Sequence, residues 1–152
     1  METKKHLDSF ERFVISQVAI LIRDNKCLIL KDASRDKTPW LLPGGRLDKG
    51  ELKEESFVRE LKEELNFDNV KIIKTVDYDI WYVSYPKLGI NKWPVCAIAN
   101  LIEDNGQKIK LSSEHSELAW ISEKEIDDYN FVWPNARRMI KKGFAEYKIL
   151  NI

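Results

Sequence analysis

The chain has 152 residues, 43% hydrophobic and 11% aromatic, enough apolar material for one buried core. Lysine plus arginine and aspartate plus glutamate both number 25, so the formal net charge is zero and no global field draws the chain to a nucleic-acid polymer or a membrane surface. No apolar run approaches the roughly 18 residues of a membrane span, and the start METKKHLDSFERF is too polar and acidic for a signal peptide. Cys27 and Cys96 sit in apolar runs and read as buried, reduced thiols, which points to a cytoplasmic protein.

Residues 1–12 read as a loose tail before a single domain over residues 13–152, with no linker, repeat or low-complexity stretch. A β-rich run over residues 13–22, the turn Arg23-Asp24-Asn25-Lys26 and a second run over residues 27–31 predict a hairpin. Residues 33–39 read as a polar loop. Trp40-Leu41-Leu42-Pro43-Gly44-Gly45 is a short extended piece whose paired glycines let backbone approach a ligand.

Within residues 45–67, GRLDKGELKEESFVRELKEELNF, a helix is expected that has two different faces. Val58, Leu61 and Leu65 form an apolar stripe suited to packing on a sheet. Glu60, Glu63 and Glu64 fall at i, i+3 and i+4, so their carboxylates converge on the other side and need a counter-charge. Hard oxygen ligands of this kind favour Mg²⁺ or Mn²⁺, and no Cys/His cluster nearby supports zinc. The bland alternative is a solvated acidic helix whose glutamates pair with Lys53 and Lys62.

Downstream, residues 70–85 and 93–102 are long β-branched and aromatic runs joined by a turn over residues 86–91. Asp104-Asn105-Gly106 turns the chain into a short strand near residues 108–111, and residues 118–121 make another. Ser122 and Glu125 form a capping-box pair that opens a brief helix to about Tyr129. Pro134 opens the last helix, to about Tyr147. This order predicts an α/β fold, a mixed sheet with helices on both sides.

The residues around the acidic helix decide between its two readings. Gly45, Glu51, Arg59, Glu60, Leu61, Glu63, Glu64 and Phe67 match the pattern Gly, five residues, Glu, seven residues, Arg-Glu-apolar-any-Glu-Glu-any-Gly-apolar, with Asn66 in place of the last Gly. From average residue frequencies such a match has a chance probability on the order of 10⁻⁷ to 10⁻⁸. The segment resembles the Nudix box of the Nudix hydrolases. Asn is the next best residue after Gly for the left-handed turn that ends the helix.

The resemblance implies an α/β/α sandwich and Mg²⁺-dependent hydrolysis of a nucleoside diphosphate linked to another group. It implies Glu60 and Glu64 as direct metal ligands, Glu63 as ligand or supporting partner, and the Gly44 carbonyl as a further ligand. Glu60 or Glu63 is expected to serve as base, while Arg59 and Glu51 form an ion pair that fixes the loop to the helix. Arg46, Lys31 and Arg35 are candidates for the outer phosphates. The loop over residues 112–117 is where relatives bring an extra catalytic group; Glu114 is favoured as accessory metal ligand and His115 is expected to be exposed and idle.

Substrate choice falls outside the box. Trp133-Pro134-Asn135 resembles the base-reading segment of MutT-like enzymes that hydrolyse oxidised purine nucleoside triphosphates, with Asn135 on the base edge and Trp133 stacking nearby. Tyr82 lies close to where dinucleoside polyphosphate hydrolases carry a tyrosine. The expected reaction is therefore a nucleoside triphosphate going to monophosphate and pyrophosphate. A dinucleoside polyphosphate or nucleotide sugar is the alternative, and a catalytically silent nucleotide sensor the rival from another class. The partner is a small nucleotide, and the chain is expected to act as monomer or homodimer.

Overall fold

The computed structural model describes residues 8–34 and 40–152. Residues 1–7, most of the expected tail, lie outside the described residues. Strand β1 (Val14–Arg23) turns through Asp24 and Asn25, both at positive φ (51° and 58°), into β2 (Lys26–Asp32). Two consecutive left-handed residues are the twist-matched hairpin turn that an Asp-Asn pair accommodates. Short strands β3 (Trp40–Leu41) and β4 (Gly44–Arg46) follow, then helix α1 (Lys53–Leu65). β5 (Ile72–Tyr85) and β6 (Ile90–Ile102) form a long antiparallel hairpin, and β7 (His115–Ile121) and helix α2 (Ala136–Leu150) complete the chain.

The strands run β3-β2-β1-β6-β5, with β4 also on β1 and β7 also on β2. The β1–β6 pair is parallel and the other pairs are antiparallel, so the sheet is mixed as expected. Helices cover both faces. Ala19 and Leu21 of β1 pack with Phe57, Leu61 and Leu65 of α1, whereas Ile20 and Ile22 pack in the cluster of Met139, Ile140 and Phe144 of α2. Burial on both faces explains why residues 18–22 of β1 read as an unbroken apolar run.

The stripe of α1 is shifted from its expected position. Phe57, Leu61 and Leu65 are buried, but Val58 is 37% exposed, because the face that meets the sheet is centred on residues 57, 61 and 64–65. The helix ends at Asn66, left-handed at φ 61° and ψ 33°. Its N-terminus is closed by Glu55, whose carboxylate accepts the Leu52 N–H at 3.1 Å.

The strand expected near residues 108–111 does not form. Lys110 N–H donates to Leu65 O at 3.0 Å and Ser112 N–H to Glu64 O at 3.2 Å. The backbone donors of this segment thus close the open carbonyls at the end of α1 instead of joining a sheet, and that lays residues 112–115 beside Glu64. β7 consequently begins at His115, earlier than the expected residue 118. After β7, Glu125 accepts the Ser122 N–H and hydroxyl at 2.7 and 2.6 Å and opens a 3-10 turn over Glu123–Asp128. α2 starts two residues after Pro134 and runs on to Leu150. Among the described residues no helix is long and apolar enough to cross a membrane.

Candidate active site

Backbone geometry prepares the site before any side chain reaches it. Gly44 has φ 137°, and a Cβ there would stand 2.0 Å from Gln17 O on the neighbouring strand, so only glycine lets β4 pair with β1 at this point. A Cβ on Gly45 would stand 2.1 Å from Glu60 Cδ, because the carboxylate of Glu60 packs directly on the Gly45 Cα. Gly45 is therefore a cradle shaped to Glu60 of α1, and Gly44 is the glycine that the β1 backbone requires. Ser16 Oγ donates to Gly45 O at 3.2 Å and Ser56 Oγ to Arg46 O at 3.1 Å, pinning the strand from both sides.

Glu64 lies one turn further along α1 and is 6% exposed. Its Oε2 accepts the Gly44 N–H at 2.6 Å, and its Oε1 meets His115 Nε2 at 3.0 Å. His115, expected to be exposed and idle, is 9% exposed and bonded to a box glutamate. The cause is the 108–112 segment, which docks on the end of α1 and carries the loop inward. Ligand atoms of Glu64, Glu114 and His115 all lie within 4.8 Å of one another.

Arg59 organises the acidic face. Its Nε and Nη2 reach the Glu51 carboxylate at 2.7 and 3.1 Å, and its Nη1 reaches Glu60 at 3.0 Å and Glu63 at 3.4 Å. The Arg59 hydrogen bonds hold the Glu51 carboxyl down at about 2, and Glu51 in turn raises Arg59 above its ordinary value. Burial pushes Glu60 above the usual carboxylate value; Arg59 opposes it, and Glu64 and Glu63 add repulsion. Burial likewise raises Glu64, against the hydrogen bonds from His115 and Gly44. Burial pulls His115 down, but Glu64, Glu114 and Asp32 together outweigh it and leave the imidazole above its ordinary value.

The donor set fits a hard divalent cation. Glu64, Glu114 and His115 bring ligand atoms together, Glu60 packs on Gly45 one helical turn before Glu64, and burial raises the Glu60 and Glu64 carboxyls, which a bound cation would offset. Glu63 is the outermost of the box glutamates, its side chain 59% exposed and held by Arg59.

A cavity of about 500 Å³ opens on Gly44, Gly45 and Glu64. Its floor is one face of the sheet, including Trp81 and Val83 of β5 and Val95 of β6, and the start of α2 closes one end with Trp133 and Asn135. Trp81 and Trp133 meet at 5.5 Å between ring centroids, tilted by 53°. Arg46 also lines the cavity and reaches the Tyr85 hydroxyl at 3.3 Å.

Two expected substrate contacts, Tyr82 and Lys31, do not join them. Tyr82 alternates with the cavity-facing Trp81 and Val83, so it lies on the opposite face of β5, under Lys92 at 4.2 Å and near Glu11. Lys31 Nζ is taken by Glu117 at 3.3 Å. Arg35 lies outside the described residues. Sequence reasoning passed over Trp81, which the alternation of β5 could have assigned to one face together with Val83.

A NUDIX domain family model matches residues 14–143. The chain belongs to the Nudix family. An RNA pyrophosphohydrolase of Pelagibacter ubique is 36% identical over 124 residues, covering 73% of this chain and 77% of that protein. One of a Nitratiruptor species is 32% identical over 105 residues, covering 66% of this chain and 63% of that protein. Among solved structures, a Caenorhabditis elegans Ap4A hydrolase superposes with a TM-score of 0.69 at 18% identity, covering 91% of this chain and 99% of that one. The MutT protein of Methanosarcina mazei gives 0.62 at 22%, covering 93% and 96%. At such identities these structures speak for the α/β/α fold alone. Family model and relatives together make this Nudix chain a pyrophosphohydrolase.

Proposed function

We propose that this Nudix enzyme hydrolyses a nucleoside 5′-triphosphate to the monophosphate and pyrophosphate, using Mg²⁺. The observation that carries the reading is a cavity of about 500 Å³, walled in part by Trp81 and Trp133, that opens on Glu64 and on the paired glycines against which Glu60 packs. In this reading Glu60, Glu64 and Glu114 hold the cation, with the Gly44 carbonyl as a backbone candidate. A cation held there would neutralise phosphate oxygens and lower the pKa of an attacking water.

The chain's own groups do the rest. Arg46 meets the outer phosphates at the cavity wall, and Trp81 and Trp133 bound the base. Glu60 is favoured over Glu63 as the base, since its carboxyl packs on Gly45 beside Glu64, while the Glu63 side chain is 59% exposed and points outward. Glu51 and Arg59 hold the loop before α1 so that Glu60 keeps its position.

A second reading has one observation in its favour. Both relatives described above are named RNA pyrophosphohydrolases, which supports a reading in which the triphosphate attacked is the 5′ end of an RNA chain. A dinucleoside polyphosphate loses support with Tyr82 on the far face of β5. A silent sensor loses support because every box carboxylate is present.

The test is pyrophosphate and phosphate release with Mg²⁺ from nucleoside triphosphates, oxidised purine triphosphates, 5′-triphosphorylated oligonucleotides, dinucleoside polyphosphates and nucleotide sugars. Pyrophosphate from free triphosphates supports the first reading, and turnover confined to the oligonucleotides supports the second. Turnover of only the last two classes refutes both.

A further inference from the structure

The start of α2 is tied to β5 through a set of charged contacts, and one of them ends on a residue of the cavity wall. Asn135 lines the cavity beside Trp133. Its amide Nδ2 donates to Asp79 Oδ2 at 3.3 Å. The same Oδ2 pairs with Arg138 Nη2 at 3.0 Å, and Asp79 Oδ1 accepts the Ile80 N–H at 2.9 Å. Behind this, the buried Asp77 accepts Arg138 Nε at 2.8 Å and Lys142 Nζ at 2.7 Å, so the cation beside Asp79 is itself held in place.

An ionised carboxylate can only accept hydrogen bonds, whereas an amide has one donating and one accepting end. Burial works against ionisation of Asp79, but the Ile80 N–H, Asn135 and Arg138 outweigh it and hold the carboxyl below its ordinary value. The end of Asn135 that faces Asp79 must therefore be the NH₂. Turning the amide over would set oxygen against oxygen. Its Oδ1 has no donor among the described residues, and it is the free end of a side chain that lines the cavity.

We propose that Asp79 fixes the orientation of Asn135, making it an acceptor-only reader, so that the base bound here must present an N–H donor to it. The inference rests on the nucleotide reading above and narrows its substrate to bases whose inward edge carries such a donor. On the N7 side guanine offers only acceptors, N7 and O6, whereas adenine offers its 6-amino group beside N7. Oxidation of guanine at C8 puts a hydrogen on N7 and turns that acceptor into a donor. Asp79 acts here as a positioning residue; it does not touch the base.

The experiment compares kcat/KM, with Mg²⁺, for nucleotide pairs that differ by one donor: ATP against purine riboside triphosphate, GTP against inosine triphosphate, and 8-oxo-GTP against GTP. In the wild-type enzyme the preferred base should lose about tenfold or more when its donor is deleted. Asp79→Asn gives Asn135 a neighbour that both donates and accepts, so the amide can turn and the ratio should collapse toward one. Arg138→Ala removes the ion pair but leaves the Asp79–Asn135 contact; it should lower the melting temperature and keep the ratio within about twofold.

An Asp79→Asn ratio equal to wild type overturns the inference, and so does Asn135→Ala leaving every ratio intact. A wild-type enzyme that turns over no nucleoside triphosphate refutes the nucleotide reading itself, a separately visible result. Should Asp79→Asn fail to fold, NMR on the wild-type protein decides. The Asn135 side-chain NH₂ signals, assigned by their loss in Asn135→Ala, should stay in place when a nucleoside monophosphate of the preferred base is added without metal. A large shift of those protons would mean that they face the base, and it contradicts the proposal.

Discussion

Replacing Gly45 by alanine separates the position of the Glu60 carboxylate from the fold that carries it. The new Cβ would stand 2.1 Å from Glu60 Cδ and 2.4 Å from each carboxylate oxygen, against an ordinary contact of 3.4 Å. The carboxylate must therefore retreat by about 1.3 Å, which the flexible side chain allows. Gly45 is not in the left-handed region, so alanine adopts its backbone without strain. A misplacement of about 1 Å at a reacting group costs on the order of a hundredfold. We expect kcat for pyrophosphate release to fall about that far, with weaker Mn²⁺ binding by calorimetry and thermal stability within roughly 1 kcal/mol of wild type. Gly44→Ala is the contrast. There the Cβ meets Gln17 O at 2.0 Å and Val18 Cα at 2.8 Å, backbone atoms that have nowhere to go, and the protein should lose its fold. A Gly45→Ala enzyme with wild-type kcat would refute the cradle as the feature that sets Glu60.

The Glu51–Arg59 pair has a signed dependence on pH. Because the folded-state value of Glu51 is depressed to about 2, its contribution to stability is complete above its ordinary value of 4.5 and is lost as pH falls from there toward 2. The melting-temperature gap between wild type and Glu51→Gln should close across that window; a gap independent of pH contradicts the pairing. His115→Ala leaves Glu64 buried without one of its two partners, and metal affinity by calorimetry should weaken by about 10- to 100-fold. In α2, a Cβ at Gly143 would lie 2.6 Å from Ile20 Cγ2. Gly143→Ala should thus lower stability by about 1–3 kcal/mol in thermal unfolding, less any gain in helix propensity, and leave kcat intact.

Much of the molecule was legible in the sequence because local rules and tertiary needs coincide there. The hairpin of β1 and β2, the long β5 and β6 runs and the alternation of strand and helix follow from residue pattern alone. The Glu51, Arg59 and Glu60 contacts follow from the register of residues 45–67. What escaped depends on distant partners. Residues 108–111 carry a strand-like alternation, yet the N–H groups of Lys110 and Ser112 go to the carbonyls that end α1, and nothing local encodes that choice. The same docking buries His115, which in sequence is an ordinary polar-loop histidine. Tyr82 and Trp81 are neighbours in a strand of many aromatics, and only the side covered by α2 decides which of them meets the cavity. Asp79 gave no signal, since its role arises from contact with residues more than fifty positions later.

The central claim is hydrolysis of a nucleotide triphosphate by carboxylates gathered on α1. It is tested most directly by following a nucleoside triphosphate and Mg²⁺ by phosphorus NMR with wild type and Glu64→Gln. Monophosphate and pyrophosphate should appear with wild type, and turnover should drop by orders of magnitude in a Glu64→Gln protein that keeps the wild-type fold by circular dichroism. Release of inorganic phosphate and a nucleoside diphosphate, or near-normal turnover by Glu64→Gln, would contradict the account.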